Sequence, residues 1–133
     1  MNKIAAKPAR ITAAAQGNIL YGENDAAVLA SESKLFEQAG YTVAKQVGRA
    51  AIDQALKTGH YDVVVLGHTL SKDDRHHLPY MAKKAVRDTQ VLVLHASGKH
   101  PAVDIAMDSR EGTDQVLKAL ASLMQRKALA VAV

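Results

Sequence analysis

The run Tyr61-Asp62-Val63-Val64-Val65-Leu66-Gly67 constrains the fold more tightly than any other stretch of the chain. Four successive aliphatic residues, three of them β-branched, leave no polar alternation for a solvent-facing side. A strand of that kind is buried on both faces, the condition of a central strand in a parallel sheet with helices above and below. A second run, QVLVLHAS at 90–97, repeats the condition. Both therefore require flanking helices.

The rest of the chain supplies them. NILYG (18–22) is a short apolar strand, and Glu23-Asn24-Asp25 follows with turn and N-cap chemistry. From Asp25 onward, Val28, Leu29, Leu35, Phe36 and Ala39 recur at helical spacing, and Gly40 suits the left-handed position after a last turn. YTVAKQV (41–47) is an alternating, β-branched segment. RAAIDQALKTGH puts Ala51, Ile52, Ala55 and Leu56 on one stripe, with Gly59 as the stop. SKDDRHH (71–77) reads as loop or first turn, and Pro79 predicts a helix starting near Leu78, with Met81, Ala82, Ala85 and Val86 inward. VDIAMDS (103–109) reads as a strand, and Thr113 to Lys127 as a helix with Val116, Leu117, Leu120, Leu123 and Met124 facing the core. ALAVAV (128–133) is an apolar tail whose periodicity leaves helix turn and strand equally open. Strands alternating with helices of this length predict βαβ units. The expected organisation is one α/β domain over 18–127 behind a basic lead-in at 1–17.

At 133 residues the chain is long enough for one domain with a sizeable core. It has no cysteine, which excludes disulfides and thiolate metal sites. Its longest apolar runs fall far short of the roughly 20 residues a membrane span needs, so no membrane association is expected. Three of the four net positive charges sit on Lys3, Lys7 and Arg10, leaving the body almost neutral. With one Phe and no Trp there is little for bases to stack on, and nucleic acid is not the expected partner. Lys7, Pro8 and Arg10 interrupt the apolar stretch a secretory signal would need, so the expected location is the cytoplasm. No GxGxxG, P-loop or Gly-x-Ser-x-Gly occurs, and Ser97-Gly98 is too short for a phosphate loop.

ILYGEND (19–25), EQAGYTV (37–43) and YDVVVLG (61–67), at this spacing, resemble the response-regulator receiver domain from about Asn18 to Lys127. The resemblance implies a flavodoxin-like, doubly wound, mostly parallel five-stranded sheet, order 2-1-3-4-5, with helices on both faces. In that family an aspartate ending the third strand takes a phosphoryl group, and an acidic pair after the first strand holds Mg²⁺. A Thr or Ser after the fourth strand and a Lys after the fifth contact the phosphoryl oxygens. Carried onto this sequence, the acidic pair falls on Glu23 and Asn24, with Asp25 following. The acceptor falls on Gly67, the hydroxyl on His95, and the lysine near Asp108. The site is therefore expected to be degenerate. The fourth helix is expected to be missing or shortened too, since a parallel crossover takes about a dozen residues and SGKHPA is too short. The last strand would then be an irregular or antiparallel edge, or not a full strand.

The resemblance thus points to a bacterial pseudo-receiver of two-component signalling, with no enzymatic activity and no cofactor. It would act through a partner protein or a second copy of itself, without aspartyl phosphorylation. The alternative is a small-ligand or metal-binding module on the same scaffold. His68 and His95 end neighbouring strands, and with Glu23 they could hold Zn²⁺ or Mg²⁺. Cobalamin modules place a histidine in Asp-x-His-x-x-Gly after the first strand, where this chain has GENDAAV. His76 and His77 read as a solvated loop, His60 and His100 as turn residues.

Overall fold

Strand β1 (Asn18–Glu23) has parallel neighbours on both sides, β2 (Thr42–Val47) and β3 (Val63–Leu66). β4 (Gln90–Leu94) pairs with β3, and β5 (Ile105–Met107) with β4, again parallel, giving the order β2-β1-β3-β4-β5. The computed structural model describes residues 17–95 and 100–132. Residues 1–16 of the expected lead-in, and Ser97-Gly98, lie outside the described residues.

Period-two alternation along buried strands assigns the two faces. Ile19 and Tyr21, Val63 and Val65, and Leu92 and Leu94 pack with helices α1 (Ala26–Gln38) and α4 (Thr113–Ala132) through Leu29, Phe36, Val116, Leu120 and Leu123. Leu20, Val64, Leu66, Val91 and Val93 point the other way. They meet Ile52, Ala55 and Leu56 of α2 (Arg49–Thr58) and Leu78 and Ala82 of α3 (Lys72–Ala85). Each fully buried aliphatic side chain contributes about 1.5–3 kcal/mol, which is why the unbroken run at 63–66 demands both layers. The flavodoxin-like, doubly wound fold follows.

Three boundaries differ from the expectations. Helix α3 begins at Lys72, six residues before Leu78, and takes His76 and His77 out of the predicted loop onto its exposed side. Ser71 caps it, accepting from the Asp74 N–H at 3.1 Å, and Asp73 and Asp74 complement the dipole of the first turn. Pro79 sits inside the helix and leaves the Arg75 carbonyl without its i+4 donor; it is tolerated there, buried against the sheet. Helix α4 runs on past Lys127 to Ala132, since neither glycine nor proline intervenes to stop it. Finally, the strand read over 90–97 stops at Leu94, and β5 is a three-residue parallel edge within the expected 103–109.

Ten residues separate β4 from β5, and no helix occurs among those described. Side chains hold this short crossover instead. Asp104 donates its N–H to the Val91 carbonyl at 2.9 Å, and its carboxylate accepts from the Val91 N–H at 2.7 Å and Lys83 Nζ at 2.6 Å. Lys83 also donates to the Thr89 carbonyl at 2.6 Å. Val103 packs against the α2–α3 layer. The edge strand thus depends on one carboxylate that extends its ladder. We predict that Asp104→Ala costs about 2 kcal/mol, the scale of hydrogen bonds to a charged group, and speeds amide exchange at 105–107 more than at 63–66. Uniform exchange across both strands would contradict this.

Candidate functional site

The parallel register sets Gly22 beside Leu66, so Glu23 and Gly67 leave the sheet side by side, with the Gly67 N–H on the Gly22 carbonyl at 2.9 Å. This is the carboxyl end of the sheet, where doubly wound folds bind ligands. Glu23 follows Tyr21 by two residues on an alternating strand, and its side chain is fully buried. A buried carboxylate costs several kcal/mol unless donors meet it. Here three do. The Tyr21 hydroxyl donates to Oε2, while Oε1 accepts the Thr69 N–H at 2.9 Å and the Thr69 hydroxyl at 2.6 Å.

Thr69 ties this carboxylate to the start of α1. Its Oγ1 accepts the backbone N–H of Asn24 at 2.8 Å and of Asp25 at 3.0 Å while giving its own proton to Glu23. One donor and two acceptor positions are all a hydroxyl has, so it is saturated. Burial pushes the pKa of Tyr21 far up, and its hydrogen bond to Glu23 and the nearby negative charge raise it further, so it stays a donor. Its ring is fixed edge-on against Phe36, centroids 5.1 Å apart.

The space over Gly67 is filled by this carboxylate. A Cβ placed on Gly67 would lie 1.8 Å from Glu23 Cδ and 1.9 and 2.1 Å from its two oxygens. The glycine therefore marks the seat of a carboxyl group borrowed from the neighbouring strand, which the sequence reading of an absent side chain did not anticipate. Tyr21 and Thr69 were also missed. Both were accessible as i±2 neighbours: Tyr21 shares a strand face with Glu23, and Thr69 follows Gly67 by two.

The other expected site residues scatter. Asn24 and Asp25 are exposed, and Asp25 caps α1, accepting from Ala27 N–H at 2.9 Å and Val28 N–H at 3.1 Å. His68 is exposed, its Nδ1 4.0 Å from Glu23 Oε2, within ion-pair range but too long for a hydrogen bond. His95 has a left-handed backbone, φ 71°, and donates its N–H to the Met107 carbonyl at 2.6 Å. Asp108 caps the 3-10 turn Ser109–Glu111 and accepts Arg110 Nε at 3.0 Å. Hydrogen bonds from Arg110 hold its carboxyl well below the usual carboxylate range, with a smaller contribution from nearby His95. The structure thus brings His68 to Glu23 and holds His95 by its backbone to Met107.

No group of three or more His, Cys, Asp or Glu among the described residues could hold a metal ion. The Mg²⁺ that the receiver resemblance implies would require near-octahedral oxygen ligands. Glu23 has both oxygens engaged internally, Asn24 is neutral, Asp25 caps a helix, and Gly67 has no side chain. These residues do not fit Mg²⁺. A groove of about 460 Å³ between α2 and α3, lined by Leu56, Lys57, His60, Met81 and Lys84, lies at the opposite end of the strands. Its lysines stand in the last turns of their helices, where they complement the helix dipoles.

No protein-family model matches the chain, and no curated protein matches it in sequence. Solved structures match its fold. A CheY-like response regulator receiver domain protein from Methanospirillum hungatei superposes with a TM-score of 0.75 at 13% identity, covering 85% of this chain and 97% of its own. A structure described as adenylate cyclase from Rhodopirellula baltica gives 0.77 at 10% identity, covering 86% and 92%. The receiver domain of a Pseudomonas aeruginosa sensor histidine kinase, with magnesium coordinated in its active-site cleft, gives 0.70 at 12% identity, covering 82% and 98%. The likeness is one of fold.

The overlap of Glu23 with the side-chain position at residue 67 makes the two sites interdependent. We predict that Gly67→Asp alone destabilises the protein by about 3 kcal/mol or more, because it expels Glu23 from its donors. Glu23→Ala in the same chain should recover at least about 1 kcal/mol, within the range seen for contacting residues. Urea unfolding of the two single variants and the double variant measures this. Additive effects would show that the two positions do not share one space.

Proposed function

We propose that this chain is a receiver-like signalling module that works by protein–protein contact in the bacterial cytoplasm and accepts no phosphoryl group. The observation that carries the reading is the Glu23 carboxylate seated over Gly67. Phosphoryl transfer to a carboxylate needs an accessible oxygen in line with the leaving group, and a cation to spread the developing charge. Glu23 is fully buried with both oxygens hydrogen-bonded, and the cleft lacks a ligand set for Mg²⁺.

Two further observations support contact as the mode of action. The fold is that of receiver domains, and no helix among the described residues is long and apolar enough to cross a membrane. The outer faces of α1 and α4 are exposed and provide the surfaces for a partner, or for a second copy of the chain. No residue of the cleft is assigned a catalytic role.

The test is incubation with acetyl phosphate and Mg²⁺, or with a cognate histidine kinase, followed by intact-mass and peptide mass spectrometry. The expected result is no stable adduct on Glu23, Asp25 or Asp108. An acyl phosphate traced to any of these would overturn the proposal.

A further inference from the structure

Strand β2 ends the sheet on one side, and no strand among the described residues lies beyond it. Which of its backbone groups face outward follows from the ladder. Thr42 donates its N–H to the Gly17 carbonyl at 3.0 Å, and Gly48 donates its N–H to the Glu23 carbonyl at 2.9 Å. Residues that bond a parallel neighbour alternate along the strand, so Thr42, Ala44 and Gln46 direct their backbone groups to β1. Those of Val43, Lys45 and Val47 point away from the sheet. Such an edge is a template for another strand unless something blunts it. β2 carries no proline, and its register with β1 runs without a bulge from Thr42 to Val47. Its one charge, Lys45, is drawn back onto α1 by an ion pair with Glu37 at 3.1 Å. Val47, at its end, is a large apolar side chain left 47% exposed.

We propose that the β2 edge is a self-association surface, to which a second copy of this chain adds its own β2 antiparallel, carrying one sheet through both copies. Symmetry and charge select the register. Two identical edges related by a two-fold axis present the same residues to each other, and outward-facing residues must meet outward-facing ones. Centred on Lys45, the pairing would set two ammonium groups directly opposite, which is destabilising. Centred on Gln46, it would oppose Ala44 and Val43 to Gly48 and Arg49, where the chain has left the strand for α2. Centred on Ala44, it opposes Thr42 to Gln46 and Val43 to Lys45, all within β2.

In that register Val43 and Lys45 of each copy exchange N–H and C=O groups with Lys45 and Val43 of the other. Two small alanines meet on the axis. Each Lys45 lies beside an apolar residue and keeps its own Glu37 as counter-ion. Val47 falls opposite Tyr41 of the second copy, which takes it out of water. The inference rests on the edge of β2 alone, so a phosphoryl adduct in the cleft would leave it untouched.

The experiment is sedimentation equilibrium of the full chain from low micromolar to millimolar concentration. A six-residue edge makes a small interface, so a weak, concentration-dependent dimer is expected. Lys45→Pro removes an outward N–H at the centre of the pairing and leaves the β1 ladder intact, as proline on an edge strand does. Losing that hydrogen bond once from each copy should raise the dimer Kd about tenfold or more. Ala44→Cys places the sole thiol of the chain on the axis. Opposed residues of a non-hydrogen-bonded pair stand about 4.5 Å apart at Cα, within disulfide reach. Under mild oxidation this variant should cross-link at least about tenfold faster than Ala30→Cys, on the exposed side of α1. A monomer at every concentration, which would leave the edge to a strand of another protein, overturns the inference. So does a dimer whose Kd is unchanged in Lys45→Pro, or equal cross-linking of the two thiols.

Discussion

A carboxylate taken out of water has to be met by donors, and the way Glu23 is met organises the carboxyl end of this sheet. Its two oxygens draw together Tyr21 from β1 and both the backbone and the hydroxyl of Thr69 from the turn after β3. Thr69 in turn receives the first N–H groups of the β1–α1 turn. Removing the side chain at residue 67 is what makes room for this, since any Cβ there would lie within the carboxyl group. The glycine, the glutamate, the tyrosine and the threonine therefore form one unit. Its chemistry is that of a saturated, internal charge, which suits a fixed cleft better than a reactive one.

The second departure, the crossover between β4 and β5, is solved by local side-chain bonds. Asp104 extends the ladder of the last strand and is held by Lys83, while His100 spans two backbone groups that belong to different elements. The parallel pairing survives with only three residues in β5. An edge built this way has little packing behind it, so its stability rests on a few polar contacts, which is where local opening is easiest.

How much of this was legible follows from the physics of each element. The strands and both helical layers were readable because aliphatic runs and 3.6-residue spacing report burial directly. Pro79 points to a helix start near Leu78, but the cap Ser71 with acids at 73 and 74 sets the start of α3 at Lys72. The end of α4 stays open in the sequence, because the periodicity of ALAVAV fits a helix turn and a strand equally; the structure continues the helix to Ala132. At the site, the positions of Glu23 and Gly67 could be aligned by resemblance, but their overlap depends on the β1–β3 register and on a side-chain rotamer. Neither is encoded in local pattern. The pairing of His100 with His76 is likewise a contact across 24 positions, invisible to spacing.

The central claim is that the Glu23 carboxylate fills the seat over Gly67 and leaves no place for Mg²⁺ or a phosphoryl group. A crystal structure determined with Mg²⁺ and beryllofluoride, a phosphoryl mimic, present at millimolar concentration tests it most directly. The account predicts Glu23 over Gly67 within hydrogen-bond reach of Tyr21 and Thr69, with neither ion in the cleft. Glu23 turned outward as a ligand of Mg²⁺, or beryllofluoride seated above Gly67, would contradict it.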